Sequence, residues 1–255
     1  TLFPYPTLFL SAQLLRTELS DSTNNDLILL RALQLADGEM EVNNPTEAIK
    51  AYDTILKLHP EFGFARLNRS VLAFNAQQFE VALEDSKQLL YSNPKNYLAH
   101  YTKGRTLAKM DQITTARKTL LGLDSMLLAD STKYTANFRS TVVQKTLSDL
   151  AKKDFELKRA LRISKQELRD RPDDESIKNK VLTLYLQLGQ DDKAMALLEN
   201  YQPNNAKVLN AIKARSLALQ VEGKQELSVF WEENIPAEYA EVKLVSQKEE
   251  KGQVL

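Results

Sequence analysis

A chain of 255 residues, 43% apolar and 27% charged, can bury a core and is too mixed in character to stay disordered. Lys plus Arg and Asp plus Glu balance at 34 each, which argues against a surface that tracks nucleic-acid phosphates. No cysteine is present, so disulfides, thiolate nucleophiles and thiolate-held metals are excluded, and no run approaches the ~20 apolar residues that span a bilayer.

The chain opens on TLFPYPTLFLS, residues 1–11. Pro4 and Pro6 forbid a helix there, and no basic stretch precedes the apolar part as it would in a signal peptide. The peptide resembles TLFPYTTLFRS, the translation of one frame of a common sequencing adapter, and differs from it only at Pro6 and Leu10. A native apolar segment packed on the first helix is the competing reading. We expect a non-native segment, with the true N-terminus and any targeting signal missing. The compartment, bacterial periplasm or cell envelope against cytoplasm, stays open, and residues 12–28 are expected to be an N-terminal flank.

From residue 29 onward the chain is rich in Leu, Ala, Lys, Glu and Gln, a composition that favours helix. It also repeats. Ala48, Ala82 and Ala116 are spaced by 34 residues; after a slip of ten the series resumes at Ala160, Ala194 and Ser228. Twelve residues upstream of each lie Ala36, Ser70, Gly104, Ser148, Leu182 and Ser216, all small except Leu182. Between the two series fall candidate breaks at Asn43, Gln77, Asp111, Phe155, Gly189 and Gly223. Pro60, Pro94 and Pro172 follow twelve residues after Ala48, Ala82 and Ala160. Each unit is therefore expected to be two short helices joined at the break. Small residues let the two axes approach closely, and a proline stops the second helix.

The chain-order organisation predicted is three repeats over 29–130, an insertion or linker over 131–140, three divergent repeats over 141–240 and a tail over 241–255. The ten extra residues, around 128–138, either lengthen helices or form a loop. Phe230 and Trp231 are expected to cap the last core, and KEEKGQVL to be a solvated end.

The unit at 63–96, GFARLNRSVLAFNAQQFEVALEDSKQLLYSNPKN, resembles a tetratricopeptide repeat over its full length. Ser70, Phe79, Ala82 and Pro94 stand in the family's signature places, and Arg66 replaces the usual aromatic. The unit at 97–130 resembles it through Gly104 and Ala116, with Leu128 where the proline would be; the last three units match less well, Leu182 being large for its place. The resemblance implies an all-α fold: an α–α superhelix of about six helix–turn–helix repeats whose concave face binds protein segments.

Little else in the chain suggests chemistry. His59 and His100 lack metal-ligand spacing, and there is no glycine-rich phosphate loop. The NRS at 68–70 matches a glycosylation acceptor but falls on a packing residue. No catalytic residue, metal or cofactor is expected. The first helices carry the candidate binding surface: Phe64, Leu67, Asn68, Val71 and Phe74 in one unit, and Leu98, Tyr101, Thr102, Arg105 and Lys109 in the next. Lys145, Asp149 and Lys152, then Asn179, Thr183 and Gln187, occupy related places further on. An apolar floor beside a cationic patch suits a peptide or helix that carries aliphatic and acidic residues.

Chaperone-binding members of the family grip a terminal carboxylate with Lys, Asn and Arg at five places. Here only Asn68 matches; Leu33, Asp37, Leu98 and Thr102 hold the others, so a carboxylate clamp is excluded. The expected function is a non-catalytic interaction scaffold with protein partners, its oligomeric state open. An RNA-binding helical-repeat protein is one alternative, disfavoured by neutral charge and varied inner residues. An accessory segment of a larger protein, for instance in bacterial envelope or exopolysaccharide export, is another, by analogy of fold.

Overall fold

The computed structural model describes residues 32–36, 44–130, 132–199, 201–203 and 205–236. The segment 1–11, the flank 12–28, Asp37, the break at Asn43 and the tail 241–255 lie outside the described residues. Among those described, every regular element is a helix. The chain divides into two compact units after Thr102.

In the first unit, residues 32–36 are helical and are followed by α1 (Pro45–Leu58), α2 (Gly63–Asn75), α3 (Phe79–Ser92) and the start of α4 (Tyr97–Lys109). Pro45 begins α1, where its missing N–H would have had no partner in any case. Helix α2 packs on both α1 and α3. The small residues Ala36, Ala48, Ser70 and Ala82 are all fully buried, and Tyr52, Ile55 and Leu56 fill the core beside them. Ser70 and Ser86 do not leave a polar atom stranded: each hydroxyl donates to a carbonyl of its own helix at 2.7 Å.

The second unit holds the rest of α4, then α5 (Ile113–Ala129), α6 (Lys133–Phe138), a π turn (Arg139–Val143), α7 (Gln144–Asp170), α8 (Glu175–Gln187), α9 (Asp191–Leu198), α10 (Ala206–Glu222) and α11 (Gln225–Glu233). Gly104 lies against α5 so closely that an added β-carbon would fall 2.6 Å from Leu120. Helix α8 packs on α7, α9 and α10, and α10 on α11. Val181, Leu182, Leu186, Ile212 and Leu219 form the core there, closed by the fully buried Trp231 with Phe230 edge-on at 5.1 Å.

Four of the expected breaks are realised by one turn chemistry. Gln77, Asp111, Gly189 and Gly223 all have positive φ. After each, the next N–H reaches back five residues: Gln78 to Ala73 at 2.8 Å, Gln112 to Leu107 at 2.9 Å, Gln190 to Tyr185 at 2.9 Å and Lys224 to Leu219 at 2.9 Å. This left-handed cap satisfies carbonyls that a helix end would otherwise orphan. Helices α1, α3 and α7 each end two residues before Pro60, Pro94 and Pro172.

The break expected at Phe155 is absent. Helix α7 runs unbroken through it, Ser148 is exposed and Ala160 only half-buried. A bulky aromatic is strained at positive φ, and no Gly, Pro or Asn occurs between 144 and 170 to take its place. Residues 133–140 lengthen this helical run, through α6 and the π turn, rather than forming a loop. Thr132 caps α6 by accepting from the Thr135 N–H at 3.2 Å.

Candidate interaction surface

Helix α2 has two faces. Ala65, Ser70, Ala73 and Phe74 are buried, whereas Leu67, Asn68 and Val71 are half-buried and Phe64 is 44% exposed. Residues 64, 67, 68 and 71 follow i, i+3, i+4, i+7 and so share one side of the helix. Phe62 lies 6.2 Å from Phe64, ring centre to ring centre. One repeat later, Leu98 is 41% exposed and Tyr101 half-buried.

Two residues expected to line the surface do not. Phe74 is 7% exposed and packs 6.4 Å from the Phe79 ring, and Thr102 is 3% exposed. Phe74 stands seven residues on from Leu67, on the same side of α2, but the start of α3 covers it there through Phe79. Arg105 is half-buried and already engaged within the chain, while Lys109 is exposed. These two belong to the second unit, the α2 residues to the first. Further along, Lys145, Asp149 and Lys152 are exposed on α7. Asn179 accepts from the Tyr201 hydroxyl at 2.6 Å, and the buried Gln187 donates to Asp111 at 3.4 Å. Thr183 turns its hydroxyl back to the Asn179 carbonyl at 2.9 Å.

The side of α2 opposite the candidate surface is fixed by charge. Arg69 grips Asp85 with two bonds, Nε to Oδ2 at 2.8 Å and Nη2 to Oδ1 at 2.6 Å, and reaches Asp53 with Nη1 at 2.6 Å. Arg66 adds a bond to Asp85 at 3.3 Å and another to the Pro60 carbonyl. Burial alone would lower the Arg69 pKa; its bonds to Asp85 and Asp53 outweigh that and raise it. One guanidinium thus ties α2 to α1 and α3. Sequence reading passed over it, although Asp53 and Asp85 stand sixteen residues on either side of Arg69.

Arg215 does the same in the second unit. It is buried, donates to both Asp191 oxygens at 2.8 and 2.6 Å, and touches Thr115 at 3.2 Å and Glu222 at 3.4 Å. Glu222 accepts from Thr115 at 2.6 Å. Burial pushes the Glu222 carboxyl upward, but hydrogen bonds from Thr115 and Lys224 and the nearby charges hold it below the ordinary glutamate range. Residues from three helix–helix turns meet here, since Thr114 also donates to the Leu188 carbonyl at 3.0 Å.

The histidines serve helix ends. His100 Nε2 lies 2.9 Å from the Pro94 carbonyl, and His59 Nδ1 is 3.8 Å from Glu61. Among the described residues no cluster of His, Asp and Glu could hold a metal ion. None of their helices is long and apolar enough to cross a membrane.

No family model and no curated protein matches the chain. Among solved structures it is similar to a crystal structure of a tetratricopeptide repeat protein from Parabacteroides merdae ATCC 43184, at 18% identity. That match covers 94% of this chain and 88% of the other, with a TM-score of 0.43.

Proposed function

We propose that this protein is a non-catalytic scaffold that binds a peptide or helical segment of a protein partner on the uncovered side of its first helices. The observation that carries this reading is the pair Phe64 and Leu98, one repeat apart in the first unit. Both stay 44% and 41% exposed, while the opposite face of α2 is buried and clamped by Arg69. Large apolar groups on a side-chain row whose backbone is held rigid make a pre-organised surface, which lowers the entropic cost of binding. Leu67, Asn68 and Val71 extend that row, and Asn68 offers a polar contact to fix orientation.

Selection of a displayed peptide library against the full chain tests this. A motif enriched on the wild type and lost on Phe64→Asp/Leu98→Asp supports the reading. Equal enrichment on both proteins, or none on either, overturns it.

A further inference from the structure

The outer face of α7 carries a second feature that the surface on α2 does not explain. The buried side of this helix is Leu147, Leu150, Asp154, Leu161 and Ser164, with Leu157 and Leu168 partly buried against the core. The opposite side presents Lys152, Phe155, Arg159, Arg162 and Ile163, all exposed. Phe155 is 70% exposed and Ile163 46%. A single exposed aromatic needs no explanation. Here, however, Phe155, Arg159 and Ile163 fall at i, i+4 and i+8, with Arg162 beside them, so the apolar groups bracket two guanidinia along about 12 Å of helix.

Four other cations of α7 are engaged within the chain: Lys152 with Asp149 at 3.9 Å, Lys153 with Asp111, Lys158 with Asp154 at 2.7 Å, and Arg169 with Gln166 at 2.6 Å. Arg159 and Arg162 have no ion pair or hydrogen bond among the described residues. Two planar, weakly hydrated cations left without carboxylates beside exposed Phe and Ile are complementary to a surface of acid and hydrocarbon.

We propose that this stripe of α7 docks an acidic amphipathic helix of a protein partner. Its aliphatic side chains would cover Phe155 and Ile163, and its carboxylates would take the forks of Arg159 and Arg162. A helix fits because the α7 groups recur at helical spacing, so a partner laid alongside meets them with residues at i, i+3, i+4 and i+7. A phosphate backbone fits less well. It offers no hydrocarbon to cover Phe155 and Ile163, and the chain carries no net positive charge to favour it.

The test uses the full chain and a labelled synthetic helical peptide that alternates Leu-Leu and Glu-Glu pairs, followed by fluorescence anisotropy. Phe155→Ala and Arg159→Gln/Arg162→Gln are each expected to weaken binding by about tenfold or more. Phe64→Ala, on the other surface, should leave it unchanged. These side chains are exposed, so melting curves should match the wild type. Equal affinity for wild type and the double Arg variant overturns the proposal. So does loss with the Arg variant but not with Phe155→Ala, which would mean charge attraction without docking. Tighter binding of a single-stranded oligonucleotide, or of phosphatidylserine vesicles, at the same residues would assign the stripe to nucleic acid or membrane instead.

Discussion

Residues 63–96 and 141–174 carry the same repeat marks and end as different structures. Place by place, Ser70 corresponds to Ser148, Gln77 to Phe155, Ala82 to Ala160 and Asp85 to Ile163. In the first stretch Ser70, Ala82 and Asp85 are buried, and Gln77 turns the chain at φ 60°. In the second, Ser148, Phe155 and Ile163 are exposed on one helix that never turns. Small residues at the right spacing permit a close helix pair; they do not create one. The pair also needs a residue that tolerates positive φ and a polar grip between the helices.

The largest expected effect tests that grip. Arg69→Met strands Asp85, which is 1% exposed, with only the longer bond to Arg66. Leaving a buried charge so poorly compensated should cost about 3 kcal/mol or more. The corresponding place in 141–174 is the buried Leu147, and Leu147→Met should cost less than about 1.5 kcal/mol. Denaturant melts of both variants check the contrast. Equal losses would mean that the Arg69 cluster is no more than a surface network.

Next comes packing. Ala82→Leu drives three added carbons into a fully buried helix–helix contact, and about 1–3 kcal/mol of destabilisation is expected. Ala160→Leu, half-buried on α7, should cost a fraction of that because the side chain can lean toward solvent. Thermal melting of the two proteins decides it. A neutral Ala82→Leu would mean that the close-contact places have been misassigned even in the regular unit.

Much of this was legible in the sequence. The all-helical class, the proline stops and the places of four turns follow from residue types at fixed spacing, because each mark acts on its own backbone; the left-handed form of those turns at Gln77 and Asp111 was not part of that reading. What was not legible was competition between marks. Along α7 the inward residues 147, 150, 154, 157, 161, 164 and 168 step alternately by three and four, an unbroken stripe that runs straight through Phe155. That stripe was available as a signal, and it outweighs a repeat spacing extrapolated from elsewhere. The surface was legible in part. Helical spacing put Phe64, Leu67, Asn68 and Val71 on one side, but it could not show that Phe74 would pack on Phe79 or that Thr102 would be buried. The guanidinium clamps were missed because Arg215 and Asp191 are brought together by three turns, not by any local pattern.

The smallest effect bears most directly on the comparison. Phe155→Gly removes the strain that a turn would impose at this place and restores the residue type found at the breaks of 189 and 223. If the aromatic alone prevents the turn, the variant should hinge there, and amides around 153–157 should exchange quickly with solvent. The continuous inward stripe argues otherwise. Folding α7 into a hairpin would strip Leu157 and Leu161 from the core they pack against, a loss of roughly 2 kcal/mol or more per side chain. A glycine in an intact helix costs only about 1 kcal/mol, and the Phe side chain, largely solvated, adds little to that. The helix should therefore stay whole, with slow exchange on both sides of the glycine and a melting temperature lowered slightly. Fast exchange confined to 153–157 would instead reveal a latent fifth turn held open by one residue.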